Sequence, residues 1–365
     1  MSLKDIVNPH VRALAPYEPG KPIEELEREL GISGSIKLAS NESPLGPSPK
    51  AVAAIRAAAD SLHRYPDGAS FELREKLADR LGVAKSQLVF GAGADEVLEL
   101  LAKSFLGVGD EVVHAWPSFA MYPIVVRGMG ATPVSVPLRD DLTHDLPAMA
   151  AAVTERTKII FVCNPNNPTG TSVGAEEFDR FVDALPADVV LAVDEAYFEY
   201  ARRPDFPDVL MWLRRRPGTI ALRTFSKVYG LAGIRVGYGV ADEELAGYLQ
   251  RARHPFNVNR LAEVAALAAL DDAEHAETSR RVNAEGVAYL TSELRALQIE
   301  VWPTDANFVL ARTGAGVHEA LLGEGVIVRP LSGFGMPEHI RISIGTPEEN
   351  ERLIKTLKRL QESGP

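Results

Sequence analysis

The chain has 365 residues, of which 46% are apolar and 24% charged, and this ordinary globular composition excludes a largely disordered or fibrous protein. Its formal net charge of −11 argues against a surface that binds nucleic acid or an anionic membrane, since both need a basic face. Cys163 is the one cysteine, which excludes an internal disulfide and a cysteine-based zinc site and favours a reducing, cytoplasmic setting.

Residues 1–34 form an N-terminal segment that is rich in prolines. The prolines predict irregular backbone instead of regular helix, and we expect the segment to cross a domain or subunit boundary. It lacks the apolar core of an export signal, and no stretch along the chain is long and apolar enough to predict a membrane span.

Residues 35–255 alternate short apolar, β-branched runs with segments of helical period, which is the pattern of a parallel sheet covered by helices. The predicted helices include Phe71–Leu81, Ala94–Leu106 and Ala175–Leu185. The predicted strands are Ile36–Ala39, Leu88–Gly91, Glu111–Ala115, Pro133–Val136, Lys158–Cys163, Val189–Asp194, Ile220–Thr224 and Arg235–Val240. We therefore expect a large α/β domain here.

Residues 256–365 have a different pattern of elements. A long helical stretch is predicted first, from Arg260 to Leu297. Further strands are then predicted, with helices between and after them, at Glu300–Trp302, Phe308–Ala311, Val326–Val328 and Ile340–Ile344. This order of elements predicts a smaller α+β domain.

A glycine-rich turn, Gly91-Ala-Gly93-Ala94-Asp95-Glu96, lies between a predicted strand and an apolar helical run. Backbone amides at the start of such a helix form an anion site that suits a cofactor phosphate. The turn is not the dinucleotide fingerprint, because Glu96 stands where the third glycine belongs. By itself the motif does not identify the ligand.

Two apolar strands each deliver polar side chains to their carboxyl ends, where ligands bind in open α/β sheets. Asp194 ends one of them and suits a protonated pyridine nitrogen, although a helix N-cap is the structural alternative. Tyr197 follows three residues later and can reach the phenolic oxygen of such a ring. Asn167 lies in a proline-bracketed turn after the other strand and either donates to the same oxygen or only forms the turn.

Lys227 follows an apolar strand in a glycine-rich loop, with Ser226 beside it and Arg235 eight residues on. A lone lysine at a strand end is more often a surface residue. Schiff-base chemistry needs an amine whose pKa is depressed by partial burial and nearby cations, and Arg235 can contribute to that. Ser226 and Arg235 also suit a phosphate group, as hydroxyl donor and forked cation.

These motifs, in this order and spacing, resemble the fold-type I pyridoxal-phosphate aminotransferases of class I and II. Closer features, at residues 38–49, 64–67, 93–96 and 341–346, resemble the histidinol-phosphate aminotransferase subfamily. The resemblance covers nearly the whole chain. It implies a mostly parallel seven-stranded sheet in a large domain, a smaller α+β domain, and a homodimer with shared active sites.

The resemblance also implies a role for each motif. Lys227 would hold pyridoxal 5′-phosphate as a Schiff base and act as the general base, and Asp194 would pair with the pyridine nitrogen. The phenolic oxygen would face Asn167 and Tyr197. The cofactor phosphate would be held by Ser226, Arg235, the turn at Gly93, the amides of Ala94 and Asp95 and, from the neighbouring subunit, Tyr65.

One position departs from the family pattern. The family usually stacks a tyrosine on the cofactor ring, and the segment Pro117-Ser118-Phe119 supplies a phenylalanine instead. Stacking is kept with Phe119, whereas the hydrogen bond of the hydroxyl is lost.

Substrate recognition is implied to fall to Arg329 and Arg341 of the small domain, although each arginine alone would also fit a surface ion pair. In histidinol phosphate they would grip a phosphate, which two arginines match well. Asn41 and Tyr17 are further substrate-binding candidates. Glutamate and 2-oxoglutarate would complete the amino-group exchange, with ping-pong kinetics.

Other functions stay open at this point. Phe119 and Trp116 are also compatible with an aromatic amino-acid aminotransferase. A threonine-phosphate decarboxylase is a further alternative, because it would use the same cofactor lysine. A cofactor-bound module without turnover is disfavoured by the complete set of catalytic residues. Hydrolase and ATPase readings fail because the sequence lacks their motifs.

Overall fold

The structure, a computed structural model, describes residues 2–16 and 19–363. Within these residues the strands are β1 (Ile36–Leu38), β2 (Leu88–Gly91), β3 (Glu111–Trp116), β4 (Thr132–Pro137), β5 (Thr157–Cys163), β6 (Val190–Asp194), β7 (Thr219–Thr224), β8 (Gly237–Ala241), β9 (Glu300–Val301), β10 (Phe308–Arg312), β11 (Val326–Pro330) and β12 (His339–Ser343).

The helices of the same residues are α1 (Leu3–Ile6), α2 (Pro9–Arg12), α3 (Ile23–Leu30), α4 (Pro49–Ala58), α5 (Phe71–Leu81), α6 (Ala94–Phe105), α7 (Met121–Gly128), α8 (Leu146–Ala151), α9 (Ala175–Ala184), α10 (Glu243–Ala252), α11 (Arg260–Leu270), α12 (Ala273–Ala296), α13 (Val317–Gly323) and α14 (Pro347–Ser363). None of the helices in this part of the chain is long and apolar enough to cross a membrane.

The larger sheet has seven strands in the order β2-β8-β7-β6-β5-β3-β4. Its neighbours pair in parallel except for β8, which runs antiparallel to β2 and β7. This confirms the expected mostly parallel sheet. The parallel strands β5, β6 and β7 end at Cys163, Asp194 and Thr224, and we call this side of the sheet the carboxyl edge.

The core of the large domain lies on both faces of this sheet. Phe161 of β5 packs in one apolar cluster with α6, α7 and α10, while its neighbours Ile160 and Val162 pack in another with α8 and α9. Successive side chains of a strand point to opposite faces, so a strand covered on both sides is apolar at nearly every position. That is why the central strands read as continuous apolar runs.

The smaller sheet has five strands in the order β1-β11-β12-β10-β9, with β1 parallel to β11 and the other pairs antiparallel. The expectation that Ile36–Ala39 belongs with the large-domain strands is therefore wrong, because Ile36 and Leu38 pair with Val326 and Val328. A three-residue apolar strand carries no local signal for which sheet it joins. This pairing brings the residues after β1 to the carboxyl edge of the larger sheet.

The helical stretch predicted from Arg260 to Leu297 is two helices. Asp272 interrupts it and caps α12, accepting a hydrogen bond from the amide of His275 at 3.3 Å. Helix α11 packs against α4 and α5, whereas α12 packs against β9, β10 and α14. The domain boundary expected at residue 255 stays a prediction.

The N-terminal segment contains short helices, so the expectation of irregular backbone throughout it is wrong. Pro9 occupies the first turn of α2, and Pro22 is the N-cap of α3. Proline costs little there because its missing N–H would lack a partner within the helix anyway. Tyr17 lies outside the described residues.

Candidate active site

A cavity of about 360 Å³ lies between the carboxyl edge, the smaller sheet and residues 39–42. Its lining brings together most of the side chains that the motifs singled out, which are Asn41, Ala94, Asp95, Phe119, Asn167, Asp194, Tyr197, Ser226, Lys227, Arg235, Arg329 and Arg341. The separate motifs therefore meet in one place, as their positions after successive parallel strands predict.

Lys227 lies partly buried in this cavity. Its Nζ donates to the backbone oxygen of Ser40 at 3.5 Å and lies 5.6 Å from the centre of the Tyr197 ring. Burial, followed by the nearby charge of Arg341, lowers the pKa of Lys227 to about 8. A substantial fraction of the amine is therefore neutral near pH 8, which is the form that attacks an aldehyde.

Asp194 sits at the end of β6 and is only 5% exposed. Its carboxylate accepts from the amide of Ala196 at 3.1 Å and from the hydroxyl of Tyr122 at 3.0 Å. Burial raises the pKa of Asp194 to about 6, while both hydrogen bonds act in the opposite direction. The N-cap alternative is wrong, because the 3-10 helix that follows begins at Phe198 and has Tyr197 as its N-cap.

Asn167 and Tyr197 present hydrogen-bond donors beside Lys227. The Oδ1 of Asn167 accepts from the guanidinium of Arg341, so its Nδ2 is the group that can donate into the cavity. The hydroxyl of Tyr197 accepts from Nδ2 of Asn41 at 2.9 Å, and burial raises its pKa, so it keeps its proton. Two donors converge here, which suits a phenolate oxygen.

Asn41 is 1% exposed and has a tightly defined environment. In addition to its bond to Tyr197, its Oδ1 accepts from the hydroxyl of Ser343 at 2.9 Å, and its backbone oxygen accepts from Asn307 at 3.0 Å. The side chain predicted to touch substrate thus also orients Tyr197.

The turn before α6 is the place where the glycine motif predicts an anion site. Gly93 is the N-cap of α6 with a φ of +89°, and a β carbon there would collide with the guanidinium of Arg235. Arg235 lies 3.2 Å from the carboxylate of Asp95 and donates to the backbone oxygen of Ala92 at 3.4 Å. The start of the helix, with the amides of Ala94 and Asp95, suits a phosphate.

Several hydrogen bonds around this turn and around Ser226 were not predicted from the sequence. Thr224 donates to the hydroxyl of Ser226 at 2.9 Å, and Glu96 accepts from Nδ2 of Asn257 at 2.9 Å and from the amide of Ala92. Tyr122, the donor to Asp194, was missed as well. Thr224 ends the strand before Ser226, which is a readable signal, whereas only the folded chain brings Asn257 to Glu96.

The two aromatic residues predicted to contact the cofactor lie in different places. Phe119 lines the cavity and meets Tyr122 edge to face at 5.6 Å between ring centres. Tyr65 lies outside the cavity of its own chain, is 82% exposed and stacks on Phe256 at 4.7 Å.

The two arginines of the small domain are neighbours on adjacent strands, since Arg329 of β11 and Arg341 of β12 are partners in register. Arg329 lies within β11, whereas the sequence predicted a strand that ends at Val328. Arg341 is 7% exposed, donates to the backbone oxygen of Ala39 at 2.6 Å and lies 5.3 Å from the centre of the Phe308 ring. The pair gives this side of the cavity a concentrated positive charge.

The residues present fit pyridoxal 5′-phosphate at each of its polar groups. A buried carboxylate is available for the ring nitrogen, two donors for the phenolic oxygen, an amine of lowered pKa for the aldehyde, and a helix start with an arginine for the phosphate.

Comparisons with known proteins agree with this geometry. The family described as aminotransferase class I and II matches residues 33–357. Histidinol-phosphate aminotransferase 2 of Methylococcus capsulatus is 48% identical over 99% of both chains, and the histidinol-phosphate aminotransferase of Moorella thermoacetica is 49% identical over 96% of this chain and 92% of its own.

The fold comparison leads to the same family. The crystal structure of histidinol-phosphate aminotransferase from Sinorhizobium meliloti, in complex with pyridoxal 5′-phosphate, superposes with a TM-score of 0.90 at 30% identity over 97% of each chain. The sequence, the fold and the cavity together show that the chain is a pyridoxal-phosphate-dependent enzyme of the class I and II aminotransferases, in the histidinol-phosphate aminotransferase family.

Proposed function

We propose that the enzyme transfers the amino group between L-histidinol phosphate and 2-oxoglutarate, a step of histidine biosynthesis, in the cytoplasm. The observation that carries the substrate assignment is the register pair Arg329 and Arg341, since both arginines line the same cavity as the cofactor residues. The names of the full-length relatives support the same substrate. The location in a reducing compartment is supported by the single, buried thiol of Cys163.

Pyridoxal 5′-phosphate, when bound, supplies an electron sink that stabilises negative charge on the α carbon of the substrate. In the proposed mechanism, Lys227 would hold the cofactor covalently in the resting enzyme. With the substrate amine bound in its place, the Nζ of Lys227 would be the base that takes the proton from the substrate's α carbon. The lowered pKa of Lys227 keeps part of this amine unprotonated at neutral pH, so it can act as the base.

The other polar side chains hold the reacting groups in place. Asp194 would pair with the ring nitrogen of the cofactor and favour its protonated form, and Asn167 and Tyr197 would donate to the phenolic oxygen. Arg341 contacts Asn167 directly, so substrate binding at the arginines and donation to the ring share one side chain. Arg329 and Arg341 grip the phosphate of histidinol phosphate, or a carboxylate of 2-oxoglutarate in the second half of the reaction.

We also propose that two chains form a homodimer in which Tyr65 reaches the cofactor phosphate of the other subunit. Tyr65 is 82% exposed and stacks on Phe256, which is 42% exposed. Two large aromatic side chains exposed side by side support an interface with a second chain. Mixing Tyr65→Ala with Lys227→Ala chains should produce hybrid dimers whose activity differs from that of either parent. Equal activity before and after mixing would contradict an active site shared between subunits.

The substrate assignment is tested by a panel of half-reactions, in which the cofactor absorbance is followed as histidinol phosphate, phenylalanine, tyrosine or threonine phosphate is added. We expect the highest kcat/KM for histidinol phosphate. Far higher specificity for phenylalanine or tyrosine would make the enzyme an aromatic aminotransferase, and carbon dioxide release from threonine phosphate would make it a decarboxylase.

A further inference from the structure

Tyr122 is a buried phenol that none of the motifs identified. It lies on α7 with no exposed surface, and its hydroxyl donates to Oδ2 of Asp194 at 3.0 Å. A hydroxyl buried this completely needs a partner, and a carboxylate is a strong one. The contact joins α7 to the end of β6.

The aromatic surroundings of Tyr122 hold its ring in one orientation. Phe161 stacks on it with 4.7 Å between ring centres and an interplanar angle of 18°. Phe119 and His114 meet it with their edges, at 5.6 and 6.2 Å. Because three rings confine the phenol, its hydroxyl cannot follow Asp194 if the carboxylate moves, and the contact therefore fixes the carboxylate.

Five titratable side chains of the described residues face Asp194. They are Tyr122 on α7, Cys163 at the end of β5, Tyr197 after β6, Lys227 after β7 and Asp95 at the start of α6. Burial raises the pKa of Cys163, so its thiol is neutral, and Asp95 and Lys227 act on Asp194 in opposite directions. Tyr122 is the side-chain donor among them whose hydrogen bond favours the ionised carboxylate.

Asp194 keeps acceptor capacity for the cofactor after these contacts. A carboxylate has about four lone-pair sites, and the amide of Ala196 and the hydroxyl of Tyr122 occupy two of them. We propose that Tyr122 is a positioning residue for the reaction, whose hydroxyl keeps Asp194 ionised and aimed at the ring nitrogen of the cofactor. This proposal rests on the cofactor and does not depend on which substrate the enzyme takes.

The test is the pH dependence of cofactor binding to the full chain, measured by fluorescence titration with pyridoxal 5′-phosphate in a Lys227→Ala background so that Lys227 does not titrate. Tyr122→Phe removes the hydroxyl and keeps the ring. A hydrogen bond to a charged group contributes about 1.5–3 kcal/mol, so we expect the midpoint assigned to Asp194 to rise by about one to two pH units. Binding should weaken most at low pH and least above both midpoints.

A second variant keeps the proposal testable if Tyr122→Phe does not fold. Site-specific replacement of Tyr122 by 3-fluorotyrosine makes the phenol a stronger donor, so the same midpoint should fall. Tyr200→Phe is the matched control, because Tyr200 is another buried tyrosine whose hydroxyl lies 3.5 Å from Ser279 and away from Asp194. It should leave the midpoint unchanged.

A double variant separates this role from simple packing. In an Asp194→Asn background, Tyr122→Phe should change cofactor affinity by less than twofold, because no carboxylate is left to ionise. The proposal is overturned if Tyr122→Phe leaves the midpoint where it was, or if it weakens binding equally at every pH and also in the Asp194→Asn background. Since no substrate enters these measurements, either result leaves the substrate assignment intact.

Discussion

The two walls of the cavity are built in different ways. One wall, called the ring wall because the proposed function places the cofactor ring against it, consists of strand ends and the turns after them, and the register of β5 with β6 places Cys163 beside Asp194. The other, called the substrate wall for the proposed substrate, consists of small-domain strands and residues 39–42, and a side-chain hydrogen bond ties it to the ring wall. Arg341 contacts Asn167 of the ring wall across 174 residues of sequence and Ala39 of its own wall across 302.

This difference indicates which substitutions should have local effects. The backbone of the ring wall is held by hydrogen bonds between strands, so removal of one side chain leaves the neighbouring backbone in place. A side chain of the substrate wall such as Arg341 contributes to several positions at once. Substitutions in the ring wall should therefore change one step of the chemistry, and those in the substrate wall should change several.

The largest effect is expected from Lys227→Ala. Loss of a positioned general base costs about 10²–10⁴-fold in rate, and the loss of covalent attachment adds to this. The variant should still bind pyridoxal 5′-phosphate while lacking the visible absorbance of the lysine-bound cofactor. Unchanged absorbance would contradict the assignment of Lys227. Loss of all cofactor binding would contradict the expectation that substitutions in the ring wall have local effects.

Asp194→Asn should have the next largest effect. Removing one partner of a buried charge pair costs about 2–5 kcal/mol, or roughly 30- to 4,000-fold at 1.4 kcal/mol per factor of ten. We expect this loss in kcat of the half-reaction, with little change in KM for histidinol phosphate. A large rise in KM with kcat preserved would place Asp194 in the substrate wall.

Arg341→Gln should affect both walls. Losing a charge-assisted hydrogen bond costs about 1.5–3 kcal/mol, so kcat/KM should fall by roughly 10- to 150-fold. The charge of Arg341 also lowers the pKa of Lys227, which stands at about 8. Covalent capture of the cofactor, which needs the neutral amine, should increase as pH rises through this value, and its midpoint should move upward in the variant.

Arg329→Gln is the matched control for that prediction. It should lower kcat/KM, because it removes the other arginine of the register pair, without moving the midpoint of cofactor capture. Stopped-flow absorbance between pH 6 and 10 measures both variants. Equal midpoints in the two variants would show that Arg341 does not couple the walls.

The smallest effect is expected from Phe119→Tyr, which restores the hydroxyl typical of the family. One hydrogen bond contributes about 1 kcal/mol, so cofactor affinity should increase by roughly fivefold with stacking unchanged. Equilibrium titration of the apoenzyme measures this. Phe119→Leu is the comparison variant, and it should weaken binding, since it removes the aromatic face.

The ring wall was largely predictable from the sequence. Asp194, Asn167 and Lys227 each follow an apolar strand, and in a parallel sheet the carboxyl ends of such strands meet at one edge. Tyr122 and Asn257 were not predictable, because their partners Asp194 and Glu96 lie 72 and 161 residues away and no local pattern links them. The same reason explains why the strand at Ile36 was assigned to the wrong sheet.

The sequence by itself determined the alternation of strands and helices and the motifs at the carboxyl edge, because each depends on residues close together in the chain. The order and spacing of those motifs, through their resemblance to a known family, also indicated the cofactor. Tertiary structure decided the ionisation of the cavity, since burial and distant neighbours move the pKa of Lys227 to about 8 and that of Asp194 to about 6. It also decided how Arg341 joins the two walls. Low-dielectric surroundings and contacts between distant residues exist only once the chain has folded.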